Sequence, residues 1–185
     1  MLKNHFNESV KIISQSKKVL EKPIAKASDL IVNAFNSGNK LLVCGNGGSA
    51  AESQHMAAEL TGRYLKERKA LPAIALTTDT SALTAIGNDY HFDQVFSRQI
   101  QALGSPGDVL LCMSTSGNSA NVIKAAKQAL TQKIKVIILS GNSGGKLKKY
   151  SDVNIIVPSK STPLIQEVHL VVIHILCDLL ESSFL

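Results

Sequence analysis

Five short apolar segments recur along the chain, and each of them ends in small polar residues. They are LLVCG, AIALTTD, DVLLCMSTS, KVIILSGNS and VNIIVPS, at residues 41–45, 73–79, 108–116, 135–143 and 153–159. Their apolarity is continuous rather than alternating, as in strands that are buried on both faces of a parallel sheet. Segments with a helical pattern lie between or after them, at residues 49–65, 92–103, 118–130 and 166–181. This order predicts an α/β fold, a three-layer α-β-α sandwich with a five-stranded parallel sheet.

The segment before the first strand has a helical pattern of its own. Residues 3–37 carry apolar stripes at helical spacing, and Pro23 predicts a break between two helices. We therefore expect a single domain over residues 1–185, in which a helical segment (1–38) precedes the α/β sandwich (39–185).

Composition limits the function classes. Hydrophobic residues make up 44% and charged residues 18% of the 185 residues, which excludes an intrinsically disordered chain. The net charge of +6 favours anionic partners without choosing between small molecules and nucleic acid. Nucleic-acid-binding motifs are absent and only 4% of residues are aromatic, so a nucleic-acid partner is disfavoured.

The cellular location follows from what the sequence lacks. Three widely spaced cysteines predict buried, reduced thiols, and the N-terminus has no apolar core of a secretory signal. The longest apolar stretch, at 170–180, contains His174 and Asp178 and is too short to span a bilayer. We expect a cytoplasmic chain without a membrane partner.

The motif STSGNS at residues 114–119 leaves a strand and opens a helix. Hydroxyl groups and the free N–H groups of a helix start all donate hydrogen bonds, which favours a bound phosphate. The alternative is an ordinary helix cap formed by Asn118 or Ser119. A cap requires one such residue and the motif supplies four hydroxyls, so phosphate binding is the preferred interpretation.

A second loop, GNGGS at residues 45–49, gives a weaker signal. Ala50 stands where a dinucleotide-binding motif has its third glycine, and no lysine follows to make a P-loop. A tight strand-to-helix turn and a close backbone approach to a ligand are equally compatible with it.

Two helical segments carry candidate chemistry. His55 and Glu59 are spaced to share a helix face, where they could hold a metal ion or pair a base with an acid. Taken alone, the spacing favours an exposed His–Glu pair on the helix surface. In the last helix, His174 interrupts an aliphatic run near Gln166; taken alone, a hydrogen-bonded core histidine is favoured there. His169 is interpreted as a solvent-side or intersubunit residue.

Together, the segments 44–64, 85–89, 114–125 and 165–176 resemble the sugar-isomerase (SIS) fold and, more closely, the bacterial phosphoheptose isomerases. The resemblance covers nearly the whole chain. It implies conversion of sedoheptulose 7-phosphate to D-glycero-D-manno-heptose 7-phosphate, an early step toward the heptose of lipopolysaccharide core. It also implies a homotetramer with active sites at subunit contacts, packed through the N-terminal helical segment.

The resemblance also implies the site residues. Zinc would be held by His55, Glu59, Gln166 and His174. The sugar phosphate would be bound by Asn46, Gly47, Gly48, Glu59, Asn88, Asp89, Ser114, Thr115, Ser116, Ser119 and Gln166. By analogy with the family, Glu59 is the catalytic base and His174 the partner acid/base, which suits proton transfer through an enediol. A neutral glutamine is an unusual zinc ligand, so another divalent ion is an alternative.

One departure and two alternatives accompany this interpretation. Many family members have an acidic or small residue and then arginine just before Gln166, where this chain has Pro163-Leu164. A related branch binds the replication initiator DnaA without catalysis, but it lacks the carboxylate and imidazole that this chain has at Glu59 and His174. A sugar-phosphate sensor that uses STSGNS alone would leave His55 and Gln166 without a role.

Overall fold

The structure is a computed structural model that describes residues 2–185, with side chains described from residue 4 onward. The helices are α1 (Leu2–Asn36), α2 (Gly48–Thr61), α3 (Thr80–Asp89), α4 (Val95–Leu103), α5 (Ala120–Thr131) and α6 (Thr162–Ser183). The strands are β1 (Leu41–Cys44), β2 (Ala73–Ala75), β3 (Val109–Ser114), β4 (Lys135–Ser140) and β5 (Val153–Ile156). Short 3₁₀ turns cover Phe92–Gln94 and Leu147–Tyr150.

The five strands form one parallel sheet in the order β2-β1-β3-β4-β5. The chain moves outward from β1 to β2 and then crosses back to β3 on the other side of β1. This reversal makes the β1/β3 edge the topological switch point, beyond which ligands bind in open α/β sheets. The loops that follow β1 and β3 are those that carry the GNGGS and STSGNS motifs.

Alternate side chains of the central strands enter two separate cores. On one face, Leu41 and Val43 pack with buried apolar residues of α1, α2 and α6. On the other face, Leu42 and Cys44 pack with those of α4 and α5. The predicted three-layer α-β-α sandwich with a five-stranded parallel sheet is therefore confirmed.

The expectation that every strand is buried on both faces holds for β1 and β3 only. The edge strand β2 exposes Ile74, β4 exposes Lys135 at its start, and β5 alternates between buried and half-buried residues. Edge strands have one neighbour instead of two, so helices cover them less completely.

The predicted helix break at Pro23 is wrong, because α1 runs without interruption from Leu2 to Asn36. Pro23 cannot donate a backbone hydrogen bond to the carbonyl group of Val19, which costs about 3 kcal/mol in a helix interior. Burial of the flanking Leu20 and Ile24 in the core shared with α6 offsets that cost. Tertiary packing here overrides the local preference.

Two other sequence boundaries differ from the structure. No helix was expected over Thr80–Asp89, yet α3 forms there with Asp79 as its N-cap, whose Oδ1 accepts a 2.9 Å hydrogen bond from the Ala82 N–H. None of its residues is fully buried, and only Leu83 and Ile86 pack against the core, so the helical pattern is short. The helix expected over 92–103 begins as a 3₁₀ turn and becomes α4 at Val95.

Helix α6 extends beyond the apolar stretch that the sequence suggested. By length and by a mean hydropathy of 1.6 it could cross a membrane, but half of that apolar window is buried inside the fold. It packs against α1 and α2. Such burial is typical of the core helix of a soluble protein.

We predict that Pro23→Ala stabilises the chain. Alanine restores a donor for the Val19 carbonyl group, and we expect the free energy of unfolding to rise by about 1–3 kcal/mol. Urea unfolding monitored by circular dichroism measures the change. An unchanged or lower free energy of unfolding would show that packing contacts of the proline ring contribute as much stability as the missing hydrogen bond, or more.

Candidate functional site

A polar cavity of about 290 Å³ lies at the switch point between the ends of β1 and β3. Seven of the predicted substrate-binding residues line it: Asn46, Gly47, Gly48, Ser114, Thr115, Ser119 and Gln166. Ser49, Met113 and Thr162 complete the lining. The two loops therefore meet in one cavity, as the parallel sheet requires.

The side chains of the serine loop (residues 114–119) do not cap helix α5. Ser119 is the N-cap residue of α5, but its side chain makes no capping hydrogen bond within the described residues. Its Oγ instead lies 3.0 Å from Ser114 Oγ, and Asn118 Oδ1 accepts a hydrogen bond from the Lys146 N–H. The capping alternative is therefore wrong, and the first N–H groups of α5 receive no side-chain cap from Ser119 or Asn118.

Gly117 permits the close packing of this loop. Its φ angle of 65° lies in the left-handed region, and an added Cβ would collide with the backbone of Gly144. A residue with a side chain is excluded by both conformation and space.

A pair of asparagines joins the two loops. Asn46 Nδ2 donates to Asn121 Oδ1 at 2.9 Å, and Asn121 Nδ2 donates to Asn46 Oδ1 at 2.7 Å. Asn121 Oδ1 also accepts the N–H of Val122 in the first turn of α5. This reciprocal amide pair holds the loop after β1 in register with the helix that follows β3.

Four predicted substrate residues do not line the cavity: Glu59, which lies beside His55, and Ser116, Asn88 and Asp89. Ser116 is exposed, and its Oγ accepts a 3.1 Å hydrogen bond from the Asn118 N–H. Asn88 and Asp89 are exposed at the end of α3, where Asn88 Nδ2 donates to Asp89 Oδ1 at 2.9 Å. Within a single chain the structure does not bring these side chains together with the others, and their binding roles remain predictions.

The predicted metal ligands come from two helices that are distant in sequence. The Nε2 atoms of His55 on α2 and His174 on α6 lie 3.0 Å apart, so one imidazole donates to the other. Glu59 Oε1 is 3.6 Å from His55 Nε2. His174 is thus neither an isolated core histidine nor remote from the His55–Glu59 pair.

This imidazole pair approaches the geometry of a metal site without completing one. Two imidazole nitrogens bound to one tetrahedral zinc ion are about 3.3 Å apart, close to the observed separation. Within residues 2–185, no three His, Cys, Asp or Glu side chains converge as a ready metal site. The metal-ligand roles of His55, Glu59, Gln166 and His174 therefore remain predictions.

Gln166 packs directly against the start of α2. An added Cβ at Gly48 would collide with Gln166 Nε2 and lie 3.0 Å from its Cδ. Glycine at this position makes room for the amide, which lines the same cavity as the serine loop. This contact explains one of the three glycines of GNGGS more directly than the tight-turn alternative does.

The solvent-side prediction for His169 is wrong, because its side chain is fully buried. It lies on the α6 face that packs against α2, on the same stripe as Ile165 and Val172. Its Nδ1 is 3.7 Å from Glu52 Oε2, too far for a hydrogen bond, and neither ring nitrogen has a partner among residues 2–185.

Sequence reasoning missed three residues beside the site. The Tyr64 ring stacks on the His174 imidazole, with ring centroids 5.8 Å apart and an interplanar angle of 29°. Glu181 is buried on α6 and accepts hydrogen bonds from the loop that contains Tyr64. Arg68 approaches the same carboxylate at 3.6 Å. The sequence signal for these three residues was Glu181, an acidic residue on the apolar stripe of α6.

Burial, hydrogen bonds and neighbouring charges shift the pKa values of Glu181 and Cys177 in opposite directions. Burial alone would raise the pKa of Glu181, but three backbone N–H donors and Arg68 outweigh it and lower the pKa. Burial and the nearby Glu59 charge raise the pKa of the Cys177 thiol to about 12, partly offset by Arg68. Glu181 therefore stays ionised and Cys177 stays a protonated thiol at neutral pH.

Known proteins share this architecture. A family model described as the SIS domain matches residues 4–141. Phosphoheptose isomerase 1 of Campylobacter jejuni is 52% identical over 184 residues, which cover 100% of this chain and 98% of that protein. Phosphoheptose isomerase of Helicobacter hepaticus is 54% identical over 179 residues, 97% of this chain and 89% of that protein.

The chain belongs to the phosphoheptose isomerase family.

Solved structures agree with this assignment. The phosphoheptose isomerase of Neisseria gonorrhoeae superposes with a TM-score of 0.93 at 49% identity, covering 98% of this chain and 97% of that one. The phosphoheptose isomerase of Francisella tularensis gives 0.95 at 39% identity, with 98% and 96% covered. The DnaA-binding alternative is not favoured, because the relatives above are named as isomerases.

We predict that Gly48→Ala impairs the site of this phosphoheptose isomerase family member without unfolding it. The new Cβ displaces the flexible Gln166 amide, so we expect less than about 1.5 kcal/mol of destabilisation. Loss of one amide hydrogen bond should weaken sugar-phosphate binding about three- to tenfold, as measured by calorimetry.

Ala51→Ser on the exposed face of α2 is the matched control. It should leave both quantities unchanged. Normal binding in Gly48→Ala would contradict a ligand role for Gln166.

Proposed function

We propose that the chain interconverts sedoheptulose 7-phosphate and D-glycero-D-manno-heptose 7-phosphate through an enediol. The observation that carries the proposal is that α2 and α6 each contribute to both parts of the site. Gly48 and Gln166 line the polar cavity, and His55 and His174 meet farther along the same helices. This placement occurs in a chain more than half identical to named phosphoheptose isomerases.

The two parts of the site suit the two ends of a sugar phosphate. The cavity offers hydroxyl and N–H donors, and the imidazole pair with Glu59 offers proton-transfer groups. We assign the phosphate end to the serine loop and the carbonyl end to the imidazole pair.

The phosphate end would be held by neutral donors. Ser114, Thr115 and Ser119 present hydroxyls to the cavity, and the first turn of α5 adds backbone N–H groups with a positive dipole end. Ser116 lies at the exposed rim of the same loop. Binding of this kind positions the reacting end of the sugar without taking part in proton transfer.

The reaction moves a carbonyl group between C2 and C1. As base, the Glu59 carboxylate removes a proton from C1 of the ketose and, after exchange with solvent, delivers a proton to C2 of the enediol. His174 moves a proton between the two oxygens, donating where the carbonyl becomes a hydroxyl. A carboxylate and an imidazole at neutral pH suit these two tasks. Glu59 and His174 both border His55, so both lie at the same end of the site.

We also propose a divalent ion, zinc in the first instance, held by His55, Glu59, Gln166 and His174. The 3.0 Å separation of the two imidazole nitrogens supports this assignment. When bound, the ion supplies Lewis-acid polarisation of the carbonyl oxygen. A neutral amide ligand leaves room for a different divalent metal.

We further propose a cytoplasmic homotetramer that supplies heptose for lipopolysaccharide. An apolar groove of about 580 Å³ between α1 and α6 supports self-association. Val171 and Ile175 of α6 line this groove and are exposed. Phe6 and Val10 of α1 are also exposed, and they precede Ile13, the first α1 residue that lines the groove. Apolar surfaces of this kind on a monomer mark association sites.

The variants Glu59→Gln and His174→Ala test the catalytic roles. We expect each to lower kcat for sedoheptulose 7-phosphate by at least about a hundredfold with unchanged circular dichroism, because each removes one proton-transfer group. The wild-type reaction in D2O should place solvent deuterium on C2 of the aldose, as detected by NMR.

The exposed residues Glu67 and His91 supply matched controls. Glu67→Gln and His91→Ala should retain full turnover, since neither side chain borders the cavity. Full turnover by both site variants would refute the role assignment. An inactive wild-type protein that binds the replication initiator would instead favour the alternative function.

Metal analysis tests the cofactor separately. We expect one divalent ion per chain after dialysis against zinc, and loss of most of it in His55→Ala because one of the two facing imidazoles is removed. His91→Ala is the control for an exposed histidine. Equal metal content in all three proteins would remove His55 from the ligand set.

A further inference from the structure

Two other rings contact the His174 imidazole, and only one of them, that of His55, has a role in the proposed site. His55 approaches it edge-on, with centroids 5.2 Å apart and an interplanar angle of 65°. Tyr64 lies nearly parallel to it at 5.8 Å. We propose that Tyr64 is a positioning residue, whose ring fixes the orientation of the His174 imidazole for proton transfer. The inference rests on the proposed function of His174.

A histidine needs such support because its terminal torsion is soft. The χ2 angle of histidine joins an sp³ to an sp² carbon and has broad energy wells, so the side chain alone does not define the direction of its nitrogens. An offset aromatic stack restricts rotation about this bond and contributes beyond simple burial. The edge-on contact with His55 restrains one nitrogen, and the Tyr64 ring restrains the ring plane.

The loop that carries Tyr64 is itself fixed to α6. Glu181 Oε1 accepts the Tyr64 N–H at 3.0 Å, and its Oε2 accepts the N–H groups of Leu65 and Lys66 at 2.9 and 2.8 Å. The carboxylate is buried, and hydrogen bonds of this charge-assisted kind are about twice as strong as neutral ones. Glu181 lies two helical turns after His174 on α6. The loop that carries Tyr64 and the His174 imidazole are therefore both held by the same helix.

Arg68 closes the same loop onto the end of α2. Its guanidinium donates to the carbonyl oxygens of Glu59 and Leu60 at 2.8 and 2.9 Å. Its Nε lies 3.6 Å from Glu181 Oε1. The loop is therefore tied both to the helix that carries the base and to the helix that carries the imidazole.

The ring of Tyr64 carries this role, and its hydroxyl does not. Within residues 2–185 the Tyr64 hydroxyl has no hydrogen-bond partner in the structure. Phenylalanine should therefore replace tyrosine, whereas an aliphatic residue should not.

The test compares Tyr64→Phe, Tyr64→Leu and the control Lys66→Ala in the full-length enzyme. Lys66 is on the same loop with an exposed side chain. For sedoheptulose 7-phosphate we expect Tyr64→Leu to lower kcat about three- to tenfold at unchanged KM, the scale of one aromatic pair. Tyr64→Phe and Lys66→Ala should match the wild type, and all four proteins should share one melting temperature within a few degrees.

A spectroscopic readout is independent of turnover. In protein labelled with ¹³C-histidine, the His174 ring protons should shift in Tyr64→Leu through loss of the aromatic ring current and keep their positions in Tyr64→Phe. The missing peak of His174→Ala provides the assignment.

Three outcomes would overturn the inference. Unchanged kcat in Tyr64→Leu would show that the stack does not position the imidazole, and an increase in KM alone would make Tyr64 a substrate contact. An equal loss in Tyr64→Phe would assign the role to the hydroxyl. An inactive wild type with the expected histidine shifts would count against the proposed function and not against the stack.

Discussion

The packing of α2 against α6 is the contact on which the site depends. His55 and His174 are 119 residues apart in sequence, yet their nitrogens lie 3.0 Å apart. The helices meet because Met56 and Leu60 of α2 share one apolar core with Val172 and Ile173 of α6. The relative position of the imidazoles is therefore set by aliphatic side chains that take no part in chemistry. Since protein interiors are packed at crystal-like density, this spacing is defined closely.

The order of the strands makes the second essential juxtaposition. β1 and β3 are neighbours although β2 lies between them in sequence, so their following loops open at one edge of the sheet. The amide pair of Asn46 and Asn121 then ties the loops together. Both loops lead directly into helices, and the cavity is lined by the first residues of α2 and by Ser119, the N-cap residue of α5. A polar pocket arises at this point without any insertion into the fold.

Several residues illustrate where sequence reasoning succeeds and fails. The strands were predictable because continuous apolarity is local information, and STSGNS was recognisable because it places four hydroxyls between a strand and the helix that follows it. Pro23 misled because the cost of a lost hydrogen bond is local, whereas the packing of Leu20 and Ile24 that outweighs it is tertiary. His169 misled for the same reason: its polarity suggests solvent, but its position on α6 places it against α2. Tyr64 had no signal, because a stacking partner 110 positions away leaves no mark on local spacing.

By itself, the amino-acid sequence determined the α/β class, the parallel strands and the residue types that could hold a phosphate or move a proton. It did so because strand burial and hydroxyl-rich helix starts depend on neighbours within a few positions. Only the tertiary structure decided that two imidazoles face each other, that Gly48 makes room for Gln166, and that Glu181 holds the loop of Tyr64. These contacts join helices across more than a hundred residues, and only the packing of the core defines the distance between them.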